Sequence, residues 1–199
     1  MFVVIPAAGA SRRMRGRDKL NETIHGHTVL QRQTNRALCL GCPVLVCLPE
    51  GGGGREHSLT GLSVEIVNVP DAAEGLGATL RAAARQALRK YPEDAMLVLL
   101  PDVPDITFTD IQSVQAAFKA AGGKTAARAT DSKNAPGTPL ILPPRVWHKF
   151  TELSGDRGGR EALDGEKIIG VPLKDDRATR DLDTPEDWAE WRLKSDIPD

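Results

Sequence analysis

The feature that most limits the folds open to this chain is a rhythm. Short apolar runs alternate with helix-period segments through the first 120 residues. Phe2-Val3-Val4-Ile5, Val44 to Leu48, Val64 to Val67 and Met96 to Leu100 read as strands. They are nearly continuous apolar runs, as strands covered on both faces tend to be. Between the first two, Thr28 can cap a helix with Gln31 at the capping-box position. Leu30, Ala37 and Leu38 line one face of that helix, and Gly41 and Pro43 stop it. Leu76, Leu80, Ala83, Ala87 and Tyr91 recur at helical spacing. Thr109 is expected to cap a third helix, with Ile111, Val114, Phe118 and Ala121 as its stripe and Gly122 as its end. This alternation predicts an α/β fold, a doubly wound and mostly parallel sheet with helices on both faces. Ligands in such folds sit at the carboxyl ends of the strands. The loop after Ile5 and Asp102 after Leu100 should therefore share one edge.

Downstream the rhythm loosens. Thr125 to Ala129, Leu140 to Leu142 and Ile168 to Val171 look like shorter strands, with helical segments near Val146 to Leu153 and Arg157 to Leu163. Thr184-Pro185-Glu186-Asp187 is a helix start, with a cap, a proline in the first turn and acids at the positive end of the helix dipole. A length of 199 residues suits one domain. We expect a single domain over 1–199.

A net charge of −1 provides no basic field, so neither nucleic acid nor a membrane is an expected partner. An anionic substrate would have to be held by a few local cations. No apolar run approaches the ~20 residues of a membrane span. Residues 2–8 are too short and lack the basic leader of a signal peptide, so they read as a first strand. Cys39, Cys42 and Cys47 are odd in number without a secretory signal, which points to a reducing, cytoplasmic setting. Cys39 and Cys42 form a C-x₂-C pair with no second pair to complete a metal site. His25, His27, His57 and His148 show no metal spacing, and Trp188 and Trp191 read as packing residues on one helix face.

Four segments carry chemistry. In Pro6-Ala7-Ala8-Gly9-Ala10-Ser11-Arg12-Arg13-Met14, small residues let backbone amides approach phosphate oxygens. Arg13 and Lys19 can neutralise a triphosphate and a departing pyrophosphate. The loop is not a P-loop, because Gly-Lys-Ser/Thr is missing, nor the dinucleotide fingerprint G-x-G-x-x-G. A flexible βα loop with solvated basic residues is the alternative reading. Asp102, in Leu100-Pro101-Asp102-Val103-Pro104, stands where a carboxylate can hold a hard cation; it could equally cap a turn. Gly155-Asp156-Arg157-Gly158-Gly159-Arg160 could form an anion-binding turn or an ordinary helix connection. Arg180-Asp181-Leu182-Asp183 sets two acids before the last helix, more than a surface cap requires.

Taken in order, these segments resemble the molybdenum-cofactor nucleotidyltransferases, the MobA-like and MocA-like enzymes. The likeness adds Gly75-Leu76-Gly77-Ala78-Thr79-Leu80, similar to the family's G-M-x-x-S-L, and Gly137-Thr138-Pro139. It implies a Rossmann-like sheet of the nucleotidyltransferase type, with a nucleotide-binding half to about residue 105 and an acceptor-binding half from about 106 to 199, and a Mg²⁺-dependent transfer from an NTP. Arg13, Lys19 and Asp102 are then catalytic. Ala7, Ala8, Gly9, Ser11, Gly75, Thr79 and Asp156 contact substrate, and Asp102 with Asp183 holds the metal. Ala7-Ala8-Gly9 resembles the loop of members that use CTP, where guanine-using members carry A-G-G. The implied acceptor is a molybdopterin-type phosphate, and a molybdoenzyme or its chaperone is a candidate partner. The chain departs from the family at Arg15, inserted before Gly16, and at Leu76, Thr79 and Thr138. Guanylyl transfer, transfer to a sugar phosphate or other small acceptor, and a non-enzymatic carrier of a molybdoenzyme are the alternatives. An oxidoreductase is disfavoured by the missing dinucleotide fingerprint.

Overall fold

The computed structural model describes residues 1–153 and 158–194. Its strands are β1 (Phe2–Pro6), β2 (Thr23–Ile24), β3 (His27–Thr28), β4 (Val44–Pro49), β5 (Glu65–Val69), β6 (Met96–Val98), β7 (Ala126–Thr130), β8 (Pro136–Leu142) and β9 (Ile168–Pro172). Its helices are α1 (Val29–Leu38), α2 (Leu76–Lys90), α3 (Phe108–Ala120), α4 (Pro144–Trp147), α5 (Gly158–Glu161) and α6 (Pro185–Lys194). Seven strands form one sheet in the order β5-β4-β1-β6-β8-β7-β9, and β2 with β3 makes a small separate hairpin. β1 pairs in parallel with β4 and β6, and β4 in parallel with β5. β8 runs antiparallel to β6 and β7, while β7 and β9 are parallel. The expected doubly wound, mostly parallel sheet is what forms, with β8 as its reversed strand.

Alternation within β1 divides the core. Val3 and Ile5 enter the layer under α1 and α3, with Leu30, Ala37, Ile111, Val114 and Phe118. Phe2 and Val4 enter the layer under α2, with Ala78, Ala83, Ala87, Trp147 and Phe150. The small residues of α2 let that helix lie close on the sheet. The cap of α1 is Thr28, whose Oγ1 accepts from Gln31 N at 3.1 Å. The reciprocal arm does not form, because the Gln31 side chain meets the His27 ring instead. The third helix starts earlier than its pattern suggested. Thr107, not Thr109, is its cap, in a complete capping box with Asp110. Asp110 Oδ2 accepts from Thr107 N at 2.9 Å and Thr107 Oγ1 from Asp110 N at 3.2 Å, so the box closes from both sides.

A third, smaller cluster joins the two ends of the chain. Met14, Ile24, Val29, Leu182, Trp188 and Trp191 are buried together. Trp191 Nε1 also donates to Asp105 Oδ1 at 2.8 Å. The two tryptophans are packing residues, and what they pack is the far end of the first loop.

The segment leading into α6 is held against the end of β6. Leu182 N donates to the Asp102 carbonyl, and Thr138 N donates to the Ala178 carbonyl. Thr138 Oγ1 accepts from Leu100 N at 3.1 Å. The Thr138–Pro139 peptide is cis. A Cβ added to Gly137 would lie 2.1 Å from the Ala178 carbonyl oxygen, so only glycine admits this approach. Gly137→Ala should therefore cost at least about 1–3 kcal/mol of stability, as overpacking does. Urea unfolding checks this, and an unchanged midpoint would show that the turn around Ala178 has room to give.

Candidate active site

The carboxyl ends of β1, β4 and β6 open on one side of the sheet, and the loop after β1 lies there. Ala7 and Ala8 are buried, with Ala8 packed into the layer under α2. Gly9 and Ala10 are exposed. Ser11 takes the left-handed conformation, with φ of 48°, and opens a short 3₁₀ turn over Arg12–Met14. The inserted Arg15 is left-handed too, and its side chain pairs with exposed Glu186 at 2.7 Å. The extra residue is thus absorbed outward, and Lys19 still reaches the site.

Lys19 is the centre of the geometry. Its Nζ donates to Asp102 Oδ2 at 2.5 Å and to Asp183 Oδ1 at 2.7 Å. Asp183 Oδ2 also meets Arg13 at 2.5 Å. The side chains of Lys19, Asp102 and Asp183 are all below a fifth exposed, whereas Arg13 is 70% exposed at the mouth. Burial opposes the charge on Lys19, but the carboxylates of Asp102 and Asp183 outweigh it and hold the ammonium above its ordinary pKa. Burial likewise opposes ionisation of Asp183, yet Lys19 and Arg13 keep its carboxyl below the ordinary range. Asp181, which hydrogen-bonds Asp183, moves the other way, raised by burial and then by the charge of Asp183. Asp187 fixes the segment by accepting from the amides of Asp183 and Thr184.

The residues suit a hard cation in one respect. Asp102 Oδ1 is buried and has no hydrogen-bond partner among the described residues. No set of three or more His, Cys, Asp and Glu side chains among those residues is arranged to hold a metal. A Mg²⁺ ion that takes one or two protein carboxylates, with water and phosphate completing its shell, asks for no more than Asp102 and Asp183.

A cavity of about 1000 Å³ lies over the loop. Ala8 to Arg13, Lys19, Gly75 and Asp183 wall it. Gly75 is the N-cap of α2, in a backbone conformation (φ 103°, ψ −161°) that suits glycine. The positive end of a fifteen-residue helix therefore opens beside the cavity, a ready environment for anions. Thr79 sits one turn on, is 3% exposed, and turns its hydroxyl back to the Gly75 carbonyl at 3.5 Å. The Ser11 hydroxyl is engaged too, donating to Asp18 Oδ1 at 2.9 Å. Asp156 lies outside the described residues.

Two residues of the site stood out in no sequence pattern. Arg55 follows a glycine run that reads as a surface turn, yet its side chain is 4% exposed and reaches the loop. Asp18 meets it with both carboxylate oxygens, at 2.6 and 2.8 Å. The signal available in advance was a single arginine closing four glycines. A second cavity of about 690 Å³ is lined by Leu76, the residue after Gly75, and by Leu80, Val98, Leu100, Phe150, Arg128, Glu161 and Asp164 among others. No helix among the described residues is long and apolar enough to cross a membrane.

Comparison with known proteins bears on the fold and the family. A search of curated proteins finds no match. Among solved structures, a homologue of Mycobacterium tuberculosis Rv0371c from Mycobacterium sp. strain JC1 is similar, with 25% identity and a TM-score of 0.79. The alignment covers 97% of this chain and 98% of that one. CMP:2-keto-3-deoxy-manno-octonic acid synthetase complexed with CTP shares the fold at a TM-score of 0.73, with 16% identity and 96% of each chain covered. Molybdopterin-guanine dinucleotide biosynthesis protein A from Archaeoglobus fulgidus does so at 0.69, also with 16% identity and 96% of each chain covered. The MobA-like NTP transferase domain matches residues 3–170, and the chain belongs to that nucleotidyltransferase family.

Proposed function

We propose that the protein transfers CMP from CTP to a molybdopterin-type phosphate acceptor, with release of pyrophosphate. The observation that carries this reading is the position of Lys19 between Asp102 and Asp183, beside a cavity walled by backbone and arginine. In this arrangement one ammonium balances two carboxylates that would hold Mg²⁺. Bound there, Mg²⁺ would neutralise phosphate charge and polarise the α-phosphoryl group. Lys19 serves first as the counter-charge of the carboxylates and then as a partner of the triphosphate. Arg13, exposed at the mouth, can follow the β- and γ-phosphates as pyrophosphate departs. The acceptor's own phosphate oxygen attacks the α-phosphorus, so the protein needs no nucleophile. Its task is positioning and charge neutralisation.

The second cavity supports the acceptor class. Leu76, Leu80, Val98, Leu100 and Phe150 offer apolar walls, with Arg128, Glu161 and Asp164 as charged groups on its lining. A flat heterocycle with polar edges suits such walls better than a sugar, whose hydroxyls would need many polar partners. For the base, the loop Ala7-Ala8-Gly9 supports cytosine. A molybdoenzyme or its chaperone remains the proposed recipient of the product.

Asp102→Asn should leave the fold intact and lower turnover by on the order of 10²-fold, about 3 kcal/mol. Near-normal turnover at saturating Mg²⁺ in a pyrophosphate-release assay would remove Asp102 from the site. Lys19→Met should weaken NTP binding and, with nucleotide absent, tighten binding of Mn²⁺, because the carboxylates lose their built-in cation. Calorimetry for the nucleotide and electron paramagnetic resonance for Mn²⁺ read the two effects separately; two unchanged constants would make the lysine a bystander. CTP should exceed GTP in kcat/KM by roughly 10–200-fold, the range available to fit alone. A GTP preference measured at one Mg²⁺ concentration would refute the choice of base and leave the transferase reading standing.

A further inference from the structure

The chain leaves β4 through Pro49-Glu50-Gly51-Gly52-Gly53-Gly54-Arg55. All four glycines are left-handed, with φ of 71°, 69°, 63° and 76°. The conformation is costly for any L-residue at all four positions. Space is open at Gly51 and Gly54, and a Cβ on Gly52 would meet only the movable end of exposed Glu56, so the backbone angle is what calls for glycine. The run folds the chain back on itself and delivers Arg55 under the loop after β1.

There the guanidinium is almost fully occupied. Nε and Nη2 grip Asp18 at 2.6 and 2.8 Å. Nη1 donates to the Ala7 carbonyl at 2.5 Å, and Nη2 donates to the Gly9 carbonyl at 2.7 Å and to Ser11 Oγ at 3.4 Å. Asp18 also accepts from Ser11 Oγ and from Leu20 N, capping the 3₁₀ turn Lys19–Asn21. Burial works against the charge on Asp18, but Arg55 overrides it and holds the carboxyl below its ordinary range.

We propose that Arg55 is a positioning residue for nucleotide binding: it fixes, from beneath, both the loop amides and the turn that carries Lys19. The proposal rests on the nucleotidyltransferase reading above. A peptide unit is planar and trans, so its carbonyl and its N–H point opposite ways. With the Ala7 and Gly9 carbonyls drawn to the guanidinium, the N–H groups of Ala8 and Ala10 are turned away from it. Ala8, Gly9 and Ala10 also wall the large cavity. Stability alone is a poor reason to bury such a pair, since well-packed apolar residues commonly do as well. A rigid planar fork that can hold two carbonyls and a carboxylate at once is a better one. Lysine keeps the charge but cannot span the set.

The test uses the full chain, with calorimetric titration of CTP and of inorganic tripolyphosphate, each with Mg²⁺. Arg55→Lys should keep its circular dichroism spectrum and weaken both ligands by a similar factor, roughly 10- to 100-fold, because the loss falls on the phosphates. Asp18→Asn retains an oxygen for Arg55 and should lose less, again equally for the two ligands. It is the variant to follow if Arg55→Lys does not fold. Wild-type affinity for tripolyphosphate in a folded variant overturns the inference, as does a loss confined to CTP, which would place Arg55 at the base. If the wild-type chain binds neither ligand, the reading of the site fails, and this inference with it.

Discussion

One ammonium group joins parts of the chain that share nothing in sequence. Lys19 belongs to the turn after the first loop, Asp102 to the end of β6, and Asp183 to the approach to α6. Two carboxylates brought that close would repel one another in a partly dry setting, by an amount that grows as the surroundings lose water. A cation between them makes the arrangement tenable. The sheet order follows the same need. β1 and β6 are neighbours, so the loop after one and the aspartate after the other open side by side. The Leu182 amide, bonded to the Asp102 carbonyl, brings the third segment to the same place.

The loop between these charges is shaped from outside itself. Small residues give it freedom, and freedom has to be removed again before its amides can act on a ligand. Arg55 fixes its beginning through carbonyls, and the burial of Met14 against Trp188 and Trp191 fixes its end. Polar bonds hold one end and apolar packing holds the other. Ser11 between them, and Arg15 just past Met14, sit in conformations that non-glycine residues rarely adopt, which is tolerable only where surrounding structure determines them.

Much of this was readable in advance, for a physical reason. A short, valine-rich apolar run such as Val44 to Leu48, bounded by Pro43 and Pro49, reads as a strand covered on both faces, and Ala83 and Ala87 at helical spacing mark the face of α2. Asp102 and the first loop were placed on one edge by the rule that parallel strands end together. The reversal of β8 was not readable, because an apolar strand carries no mark of its direction. Arg55 was hidden for a different reason. A run of glycines signals a turn, but where the turn points depends on four successive φ angles and on what lies across from it. Thr138 was similarly silent, since its hydroxyl acts on the amide of Leu100, thirty-eight positions away. The start of α3 was misplaced by two residues because two threonines compete there, each with a polar partner three residues on, Asp110 and Gln112, and the box that forms is that of Thr107.

The reach of the Lys19 bond has a consequence for the making of the protein. Lys19 and Asp183 are 164 residues apart. At about 5–20 residues per second of translation, roughly 8–33 s pass between their appearances on the ribosome. The strands β1, β4, β5 and β6 can assemble during that interval, while the charge set that would engage a triphosphate stays incomplete. A nascent or prematurely ended chain could then possess most of a sheet and no working centre. Synthesis itself sets the moment at which the molecule gains its chemistry.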